Sequence, residues 1–479
     1  MVELFWNGKR GDRVDAAVEL PLETVETIDE GASTEWQNRL ILGDKKYVLP
    51  SLRAEFGHKV DLVYIDPPFY TGADRSVTIA VPPWDDSSPR PASSLKRMAY
   101  RDTWGPSPEE RARGLTPLDK YLQWFAETAS LLRELLSDTG LLFVHLDDNV
   151  GHEAKVVLDE TFGADRFRGE IIWQLGTGAK SRKFFSIQHN IILVYSGGDA
   201  WTYNYDAKMA RQPFAQGSLG THFRRVDEHG RRYRIRTING KNYKYFADEG
   251  RAIGSVWTDI SSMTANSPII AEGTGYPTQK PEKLLERILG VCTRPGDLIL
   301  DCFCGSGTTP AVAGKLGRRW IACDVSRFAV HMTRKRLLAS HRKVPFVLQT
   351  VGGRSCHAAR DIDERDFFEP RVFTTTTTVE RLSASVRLSD FVMPRDDLEE
   401  EARAGVHHFS QWIDYWSIDW DHRRGPFHNQ WRSYRTRHEP RLALSAEHAY
   451  EEPGTYGVVV KVIDIFGREA KKTISVTVE

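Results

Sequence analysis

Asp66-Pro67-Pro68-Phe69 directly follows the apolar run 62–65, and these are the residue types best suited to chemistry. The run predicts a buried strand, whose carboxyl end is where α/β enzymes bind ligands. The prolines fix φ and carry no N–H group, so the carbonyl groups here are held as acceptors. Such acceptors next to a ring suit a planar base whose exocyclic amine donates hydrogen bonds. Considered alone, the motif also fits an Asp-Pro-Pro turn with a core phenylalanine.

A glycine-rich run at residues 301–307 is the second motif. It lies between a predicted strand and a predicted helix, where glycines let the backbone approach a ligand closely. Asp324 ends the next predicted strand, nineteen residues after Gly305, and an acidic side chain there can accept hydrogen bonds from both ribose hydroxyls. Pro310 replaces the third glycine of a nicotinamide-binding motif, and the sequence contains no Gly-Lys-Ser/Thr of a nucleotide-hydrolysing loop.

The two motifs together resemble those of DNA methyltransferases that act on exocyclic amines. The first resembles their catalytic motif, and the second resembles their motif for S-adenosyl-L-methionine (AdoMet). Because the catalytic motif comes about 235 residues earlier, the order resembles the beta class of N6-adenine and N4-cytosine enzymes. The resemblance covers residues 1–350. Segments 140–148 and 275–281 are similar to the modification subunits of type III restriction systems.

This resemblance implies an AdoMet-dependent enzyme that methylates the exocyclic amine of an adenine flipped out of double-stranded DNA, in a restriction-modification or related defence system. Asp66 and the Pro67 carbonyl would accept hydrogen bonds from the amine, Phe69 would stack on the base, and Pro68 completes the catalytic motif. No metal is required, because the sulfonium already activates the methyl group. N4-cytosine is the nearest alternative, and RNA or protein-glutamine methylation are weaker ones. From another class, the chain could be a DNA-recognition subunit that recruits a partner nuclease.

The resemblance also implies which residues contact AdoMet. Asp44, which follows a predicted strand, would lie near the adenine of the cofactor. Thr278 and Lys280 precede a helix that Pro281 is predicted to open, and they would lie near the methionine end. The other predicted cofactor residues are Asp301, Phe303, Gly305, Gly307, Thr308 and Asp324.

Residues 200–270 are the predicted target-recognition region. Across 201–256 there are eleven Lys/Arg against five Asp/Glu, although the whole chain has a formal net charge of zero. Arginines that alternate with aromatic residues predict a strand with one basic face, and phosphate contacts supply much of nucleic-acid affinity. A solvated surface is the alternative. The predicted DNA contacts are Arg231, Arg232, Arg234 and Arg236.

Alternating strands and helices predict an α/β, doubly wound, Rossmann-like sheet for the methyltransferase domain, residues 1–350. Within it, residues 1–35 are expected to form an irregular acidic lead-in. Residues 72–116 hold six prolines and are expected to form a long loop that acts as a lid. Residues 351–404 are a predicted connecting region. Residues 405–479 are a predicted all-β sandwich, immunoglobulin-like or PKD-like, with a role in binding or assembly.

Two small groups of polar and aromatic residues lie near the ends of predicted elements. Tyr100, Asp102 and Trp104 end the long loop and are expected to line the pocket. The segment 147–149, Asp-Asp-Asn, is interpreted as a cap of the helix near residue 151 rather than as a metal site.

The composition sets the cellular context. The chain has 479 residues and five cysteines without a Cys-x-x-Cys pair, so neither disulfides nor zinc are indicated. No apolar run reaches the roughly 18 residues of a membrane span, and a cytoplasmic protein is expected. Double-stranded DNA is the expected partner, and a homodimer and a separate restriction subunit are further candidates.

Overall fold

The computed structural model describes residues 3–9, 19–28, 36–83, 93–176, 183–263, 267, 269–340, 342–352, 373–392, 406–437 and 439–479. Its helices are α1 Lys45–Phe56, α2 Pro108–Ala112, α3 Pro117–Leu135, α4 Gly151–Phe162, α5 Gln216–His222, α6 Glu282–Cys292, α7 Thr308–Lys315 and α8 Arg327–Ala339. None of the helices in these ranges is both long and apolar enough to cross a membrane.

The strands before residue 352 are β1 Leu22–Ile28, β2 Asn38–Leu42, β3 Val60–Ile65, β4 Arg75–Val81, β5 Ser93–Tyr100, β6 Leu136–Leu146, β7 Phe167–Gln174, β8 His189–Ser196, β9 Arg211–Gln212, β10 Arg225–Val226, β11 Arg232–Ile238, β12 Lys241–Phe246, β13 Arg251–Ala252, β14 Val256–Trp257, β15 Leu298–Asp301, β16 Arg319–Asp324 and β17 Phe346–Val351. Those after it are β18 Phe373–Glu380, β19 Ser383–Phe391, β20 Ile413–Asp419, β21 Phe427–His428, β22 Trp431–Tyr434, β23 Ser445–Ala449, β24 Gly454–Asp464 and β25 Glu469–Val478.

One large sheet has the strand order β14-β7-β8-β6-β3-β15-β16-β2-β17-β1-β21. Its centre, from β6 to β17, is parallel. These strands are apolar on both faces because helices cover both sides, as in a doubly wound sheet. The α/β, Rossmann-like prediction is therefore confirmed.

The carboxyl ends of the parallel strands bring the two sequence motifs together. Strand β3 ends just before Asp66, and its neighbour β15 ends at Asp301. The next strand, β16, ends at Asp324. The chain order reverses between β3 and β15, so a crevice forms at this edge of the sheet.

Two predicted irregular segments contain regular structure. Part of the lead-in 1–35 forms β1, which pairs antiparallel with β17 in the large sheet. The predicted long loop 72–116 contains the antiparallel hairpin β4-β5 and the helix α2, so the loop prediction was wrong there. The hairpin buries Val77 and Ile79 on one face, and this short alternation is the strand signal that the surrounding prolines obscured.

The segment 147–149 does not cap helix α4. Val150 is the N-cap residue of that helix and makes no side-chain capping bond. Asp147 instead accepts hydrogen bonds from the backbone and side chain of Asn149, at 2.9 and 2.7 Å. The carboxylate stabilises the turn before the helix, and the capping interpretation was wrong.

The C-terminal strands form two sheets that share one apolar core, and the predicted all-β sandwich is confirmed. One sheet has the order β18-β19-β23 and the other β22-β20-β24-β25. Strands β18 and β19 lie within 351–404, so the described part of the predicted connecting region, 373–392, is a hairpin of this sandwich. Residues 353–372 and 393–405 lie outside the described residues.

The sandwich is joined to the α/β part of the chain by strand pairing and by buried charges. Strand β21 extends the large sheet by pairing with β1. Glu26 of β1 is fully buried and lies 2.9 Å from Arg334 of α8 and 2.7 Å from Lys461 of β24. Asp414 accepts from Lys335 and hydrogen-bonds to His331 at the same boundary. These contacts hold the two parts in one arrangement.

Candidate active site at the carboxyl edge of the sheet

Asp66 is held by a lysine from the other end of the sequence. The Nζ atom of Lys280 lies 2.5 Å from Oδ2 of Asp66, and the two side chains are 9% and 19% exposed. The other carboxylate oxygen, Oδ1, is buried and has no hydrogen-bond partner within the described ranges. Because an unpaired buried acceptor is costly, this oxygen is an open position for a donor from a ligand.

Phe69 lies between the pocket and a buried histidine. Its ring stacks on the ring of His145 at 5.9 Å with an interplanar angle of 19°. His145 is fully buried and hydrogen-bonds to Tyr64 and Asn190, each at 2.9 Å. Burial holds the pKa of His145 well below its usual value, so the ring is neutral and acts as an apolar support. Motif reading missed His145 because it lies inside an apolar strand.

The backbone after Phe69 is fixed by Asp102. This carboxylate is 1% exposed and accepts from the backbone N–H groups of Tyr70 and Thr71, both at 2.9 Å. Tyr70 has a positive φ of 60°, which the two bonds stabilise. The Tyr121 hydroxyl donates to the Pro68 carbonyl at 2.9 Å. Asp102 therefore positions the motif, whereas Tyr100 and Trp104 line the pocket as expected.

The glycine loop makes the turn between β15 and α7 at positive φ. Gly305 and Gly307 have φ of 50° and 75°, and a Cβ at Gly307 would lie 2.7 Å from Thr333. Asp324 accepts from the backbone N–H groups of Gly305 and Ser326, both at 2.9 Å. One carboxylate thus ties the loop to the end of β16, and both glycines are required by the geometry.

A cavity of about 700 Å³ lies against these elements. The cavity is bordered by fourteen residues that the sequence predicts to be catalytic, cofactor-binding or pocket-lining. They are Asp44, Asp66, Pro67, Pro68, Phe69, Tyr100, Trp104, Thr278, Lys280, Asp301, Phe303, Gly305, Thr308 and Asp324. Gly307 is not on the wall and shapes the loop behind it.

The predicted cofactor segments are linked by hydrogen bonds. Thr308 donates from Oγ1 to the Lys280 carbonyl at 3.0 Å, which fixes the segment before α6 against α7. Thr278 has a positive φ of 58° and hydrogen-bonds to the hydroxyl of Tyr100 at 3.1 Å. Asp44 is the N-cap of α1 and accepts from Lys46 N at 2.9 Å. Each segment is thus anchored before any ligand arrives.

Burial changes the protonation of the carboxyl groups in the cavity. It raises the pKa of Asp301 to about 7 and that of Asp324 to about 6. It also raises the pKa of Asp66, although the charge of Lys280 opposes this rise. A ligand that brings positive charge or hydrogen-bond donors would favour the ionised forms of all three groups.

The four predicted DNA-binding arginines lie away from the cavity wall, on and beside β11. Arg231 is ion-paired with Asp248 at 2.8 Å and Glu249 at 3.0 Å. Arg232 donates to the carbonyl groups of Phe223 and Leu219. Arg234 lies over the ring of Phe223, 5.0 Å from its centroid. The remaining member of the set, on the same strand, is Arg236.

The family model for N6_N4_Mtase, a DNA methylase, matches residues 60–335. The type II methyltransferase M.EcaI of Enterobacter cloacae is 27% identical over 62% of this chain and 69% of its own length. The StyLTI Mod subunit, a type III restriction-modification enzyme of Salmonella typhimurium, is 26% identical over 60% of this chain. The match spans about half, 52%, of the length of the StyLTI Mod subunit.

A solved structure, the PvuII DNA methyltransferase (cytosine-N4-specific), aligns with a TM-score of 0.41 at 16% identity. The alignment covers 67% of this chain and 90% of that one. The family match includes both motifs that meet at the cavity, and it spans more than half of the sequence. The chain belongs to the N6_N4_Mtase family of DNA methylases.

Proposed function

We propose that this chain transfers a methyl group from AdoMet to the exocyclic amine of an adenine flipped out of double-stranded DNA. The observation that carries the proposal is the open Oδ1 atom of Asp66, which faces no donor among the described residues while Lys280 holds Oδ2. An exocyclic amine is a donor of the kind that this oxygen lacks.

The chemistry of the cavity fits AdoMet. Four aspartates line it, and they complement a cationic ligand that also carries two ribose hydroxyls. The glycine loop leaves space that a Cβ at Gly305 would narrow, since that atom would lie 3.1 Å from Tyr276. Asp324 would hold the ribose, with Asp44 near the adenine and Phe303 and Thr278 towards the methionine end. When bound, AdoMet supplies an activated methyl group.

The residues of the chain would then align and activate the amine. Asp66 Oδ1 accepts one hydrogen bond and the Pro67 carbonyl accepts the second, because Tyr121 already occupies the Pro68 carbonyl. Both bonds raise the electron density on the amine nitrogen. The raised pKa of Asp66 makes its carboxylate a stronger proton acceptor than a surface aspartate. Phe69, supported by His145, offers its ring to the base.

Adenine is favoured over cytosine. In the family resembled, aspartate at the first motif position leans towards adenine. The DNA adenine methyltransferase YhdJ of Escherichia coli is 24% identical over 63% of this chain and 83% of its own length. Similarity to Mod subunits supports a place in restriction-modification, with a separate restriction subunit and a second copy of the chain as candidate partners.

We also infer that the C-terminal sandwich is PKD-like or immunoglobulin-like. Seven strands in sheets of three and four, joined by a shared core, support this inference. Trp416 and Trp420 are buried in that core, so they pack rather than stack on bases.

The reaction is tested by incubating the protein with bacterial DNA and AdoMet labelled in its methyl group. Label is expected in duplex DNA and not in RNA or added protein. Label in RNA or protein alone would contradict the proposal.

Asp324→Ala is expected to weaken AdoMet binding by about 1 to 3 kcal/mol, because ribose hydroxyls lose a buried acceptor. Since burial raises the pKa of Asp324 to about 6, wild-type affinity should fall as the pH drops through that value. Asp324→Asn keeps the shape and should show a flatter pH dependence. Calorimetry measures both effects, with thermal melting as the check on folding. Equal affinity in the wild type and both variants would place the ribose elsewhere.

The four arginines on and beside β11 are expected to differ in their effect on DNA binding. If all four contact phosphates, changing Arg231, Arg232, Arg234 and Arg236 to Ala flattens the log–log salt dependence of DNA binding by about 0.9 per phosphate. The ion pairs of Arg231 predict that Arg231→Ala alone has the smaller effect, and Arg236→Ala the larger. Fluorescence anisotropy at several salt concentrations measures the slopes. An unchanged slope in the quadruple variant would mean that this face is solvated surface.

A further inference from the structure

The hairpin β4-β5 and the C-terminal sandwich form one body. The hairpin buries Val77, Val81 and Leu95 in the same apolar core as Trp416 and Val458 of the sandwich. The side chain of Gln411 donates to the Pro82 carbonyl at 2.8 Å, which fixes the end of the hairpin to the sandwich. The segment predicted as a lid is therefore anchored in the C-terminal domain.

The turn between β24 and β25 meets the catalytic part at the cavity. Gly467 has a φ of 80°, and a Cβ there would lie 2.9 Å from the Cα of Phe328 at the start of α8. Asp464 Oδ1 accepts from the backbone N–H groups of Phe466 and Arg468, both at 2.9 Å, so the turn is ordered by its own aspartate. Phe466 and Arg468 both border the cavity. The Arg468 side chain is 12% exposed, and its Nε atom lies 2.8 Å from Oδ2 of the buried Asp464. The sandwich thus supplies part of the cavity wall.

The acidic residues and most of the basic residues of the cavity wall come from different elements. All four acidic residues follow or end strands of the large sheet. Two basic residues, Lys45 at the start of α1 and Lys280 just before α6, also border the cavity, and Lys280 is paired with Asp66. Five other basic residues border the cavity, and we name them the pocket rim: Lys96, Arg97, Arg101, Arg327 and Arg468. The first three lie on or just after the hairpin β4-β5. Arg327 starts α8, and Arg468 lies in the turn between β24 and β25.

AdoMet does not account for this positive charge, because its single carboxylate needs one cation and the ligand as a whole is cationic. A nucleotide inserted in the cavity remains joined to the strand through a phosphate on each side. Those phosphates must lie at the solvent-exposed mouth of the cavity, and the basic wall residues that are exposed to solvent are Lys96, Arg97 and Arg101. Basic side chains at that place match the chemistry of the strand backbone.

We propose that the pocket rim binds the phosphates that flank the target base, so that the C-terminal sandwich is part of the DNA-binding surface. The proposal rests on the proposed function and adds to it a second DNA contact, separate from β11. Arg97 lies over the ring of Phe466, 4.9 Å from its centroid, which links the hairpin to the C-terminal turn within the rim. Lys96 and Arg101 are exposed on the cavity side.

The test compares the salt dependence of duplex binding by the full-length wild type, the double variant Lys96→Ala/Arg101→Ala and the single variant Arg468→Ala. The expected loss of slope is about 0.9 per phosphate contact, which corresponds to an affinity loss on the order of tenfold per contact at 0.1 M salt. Because Arg468 is ion-paired with Asp464, its variant is expected to lose less than the double variant, but a measurable part of the slope. The matched control is Arg423→Ala/Arg424→Ala, which removes two exposed charges from the same sandwich away from the cavity. Two further measurements confirm that the variants are folded: AdoMet binding, measured by calorimetry, and thermal melting.

The proposal is overturned if the double variant keeps the wild-type slope, or if the control loses as much. A change in the double variant without a change in Arg468→Ala overturns the part assigned to the sandwich. A wild-type protein that binds AdoMet but no duplex contradicts the proposed function itself, so the two failures are distinguishable.

Discussion

Asp66→Ala is expected to lower the rate of methyl transfer by at least about two orders of magnitude, the scale of one lost electrostatic contact in an active site. Binding of duplex DNA should remain, because neither β11 nor the pocket rim is changed. Asp66→Asn should be similarly slow, since a neutral amide accepts more weakly from the amine. Single-turnover rates with labelled AdoMet measure the loss.

The matched control for Asp66 is Asp147→Ala. Asp147 follows β6, the parallel neighbour of β3 at the same edge of the sheet, but it does not border the cavity. Its variant should retain a near-normal rate. Near-normal turnover in Asp66→Ala would remove Asp66 from the chemistry, whatever the control shows.

Glu26→Ala is expected to lower the free energy of unfolding by about 3 to 5 kcal/mol, because it leaves two buried cations with only the more distant carboxylate of Glu469, 3.9 Å from each. Arg334 and Lys461 are 3% and 0% exposed, so water cannot replace the carboxylate. Urea unfolding measures the loss, and Glu447→Ala, exposed on β23, should change stability by less than about 0.5 kcal/mol.

The pH dependence of the same network has a definite sign. Burial alone would raise the pKa of Glu26, but the charges of Arg334 and Lys461 outweigh it, and the pKa lies below the usual glutamate value. A lowered pKa in the folded state gives stability that is present above the unfolded pKa and is lost as the pH falls through the folded value. Acid should therefore narrow the difference between the wild type and Glu26→Ala. A wild type and variant of equal stability at neutral pH would contradict the network's role.

The local sequence was sufficient to predict the positions of the residues that lie at the ends of strands. Asp66, Asp301 and Asp324 each stand directly after or at the end of an apolar run, so their meeting at one edge followed from a parallel sheet. The glycine loop was likewise predictable, because Gly305 and Gly307 occupy positive φ in a strand-to-helix turn.

Contacts between distant segments could not be read from the sequence. Lys280 and Asp66 are 214 residues apart, and only the fold shows that the lysine lies at the Asp66 carboxylate as well as on the cavity wall. Asp102 stands in a segment predicted as a loop, and its role depends on Tyr70 and Thr71 returning beside it. The hairpin was missed because its apolar face is short and is buried against a domain more than 300 residues later in the sequence.

The identity of the methylated nucleoside shows whether this chain methylates adenine in DNA. DNA modified by the wild-type protein with labelled AdoMet would be digested to nucleosides and separated by mass and retention. The label is expected in N6-methyl-2′-deoxyadenosine, and Asp66→Ala is expected to form at most about a hundredth of it. Label in N4-methyl-2′-deoxycytidine, or an equal yield from the variant, would contradict the account.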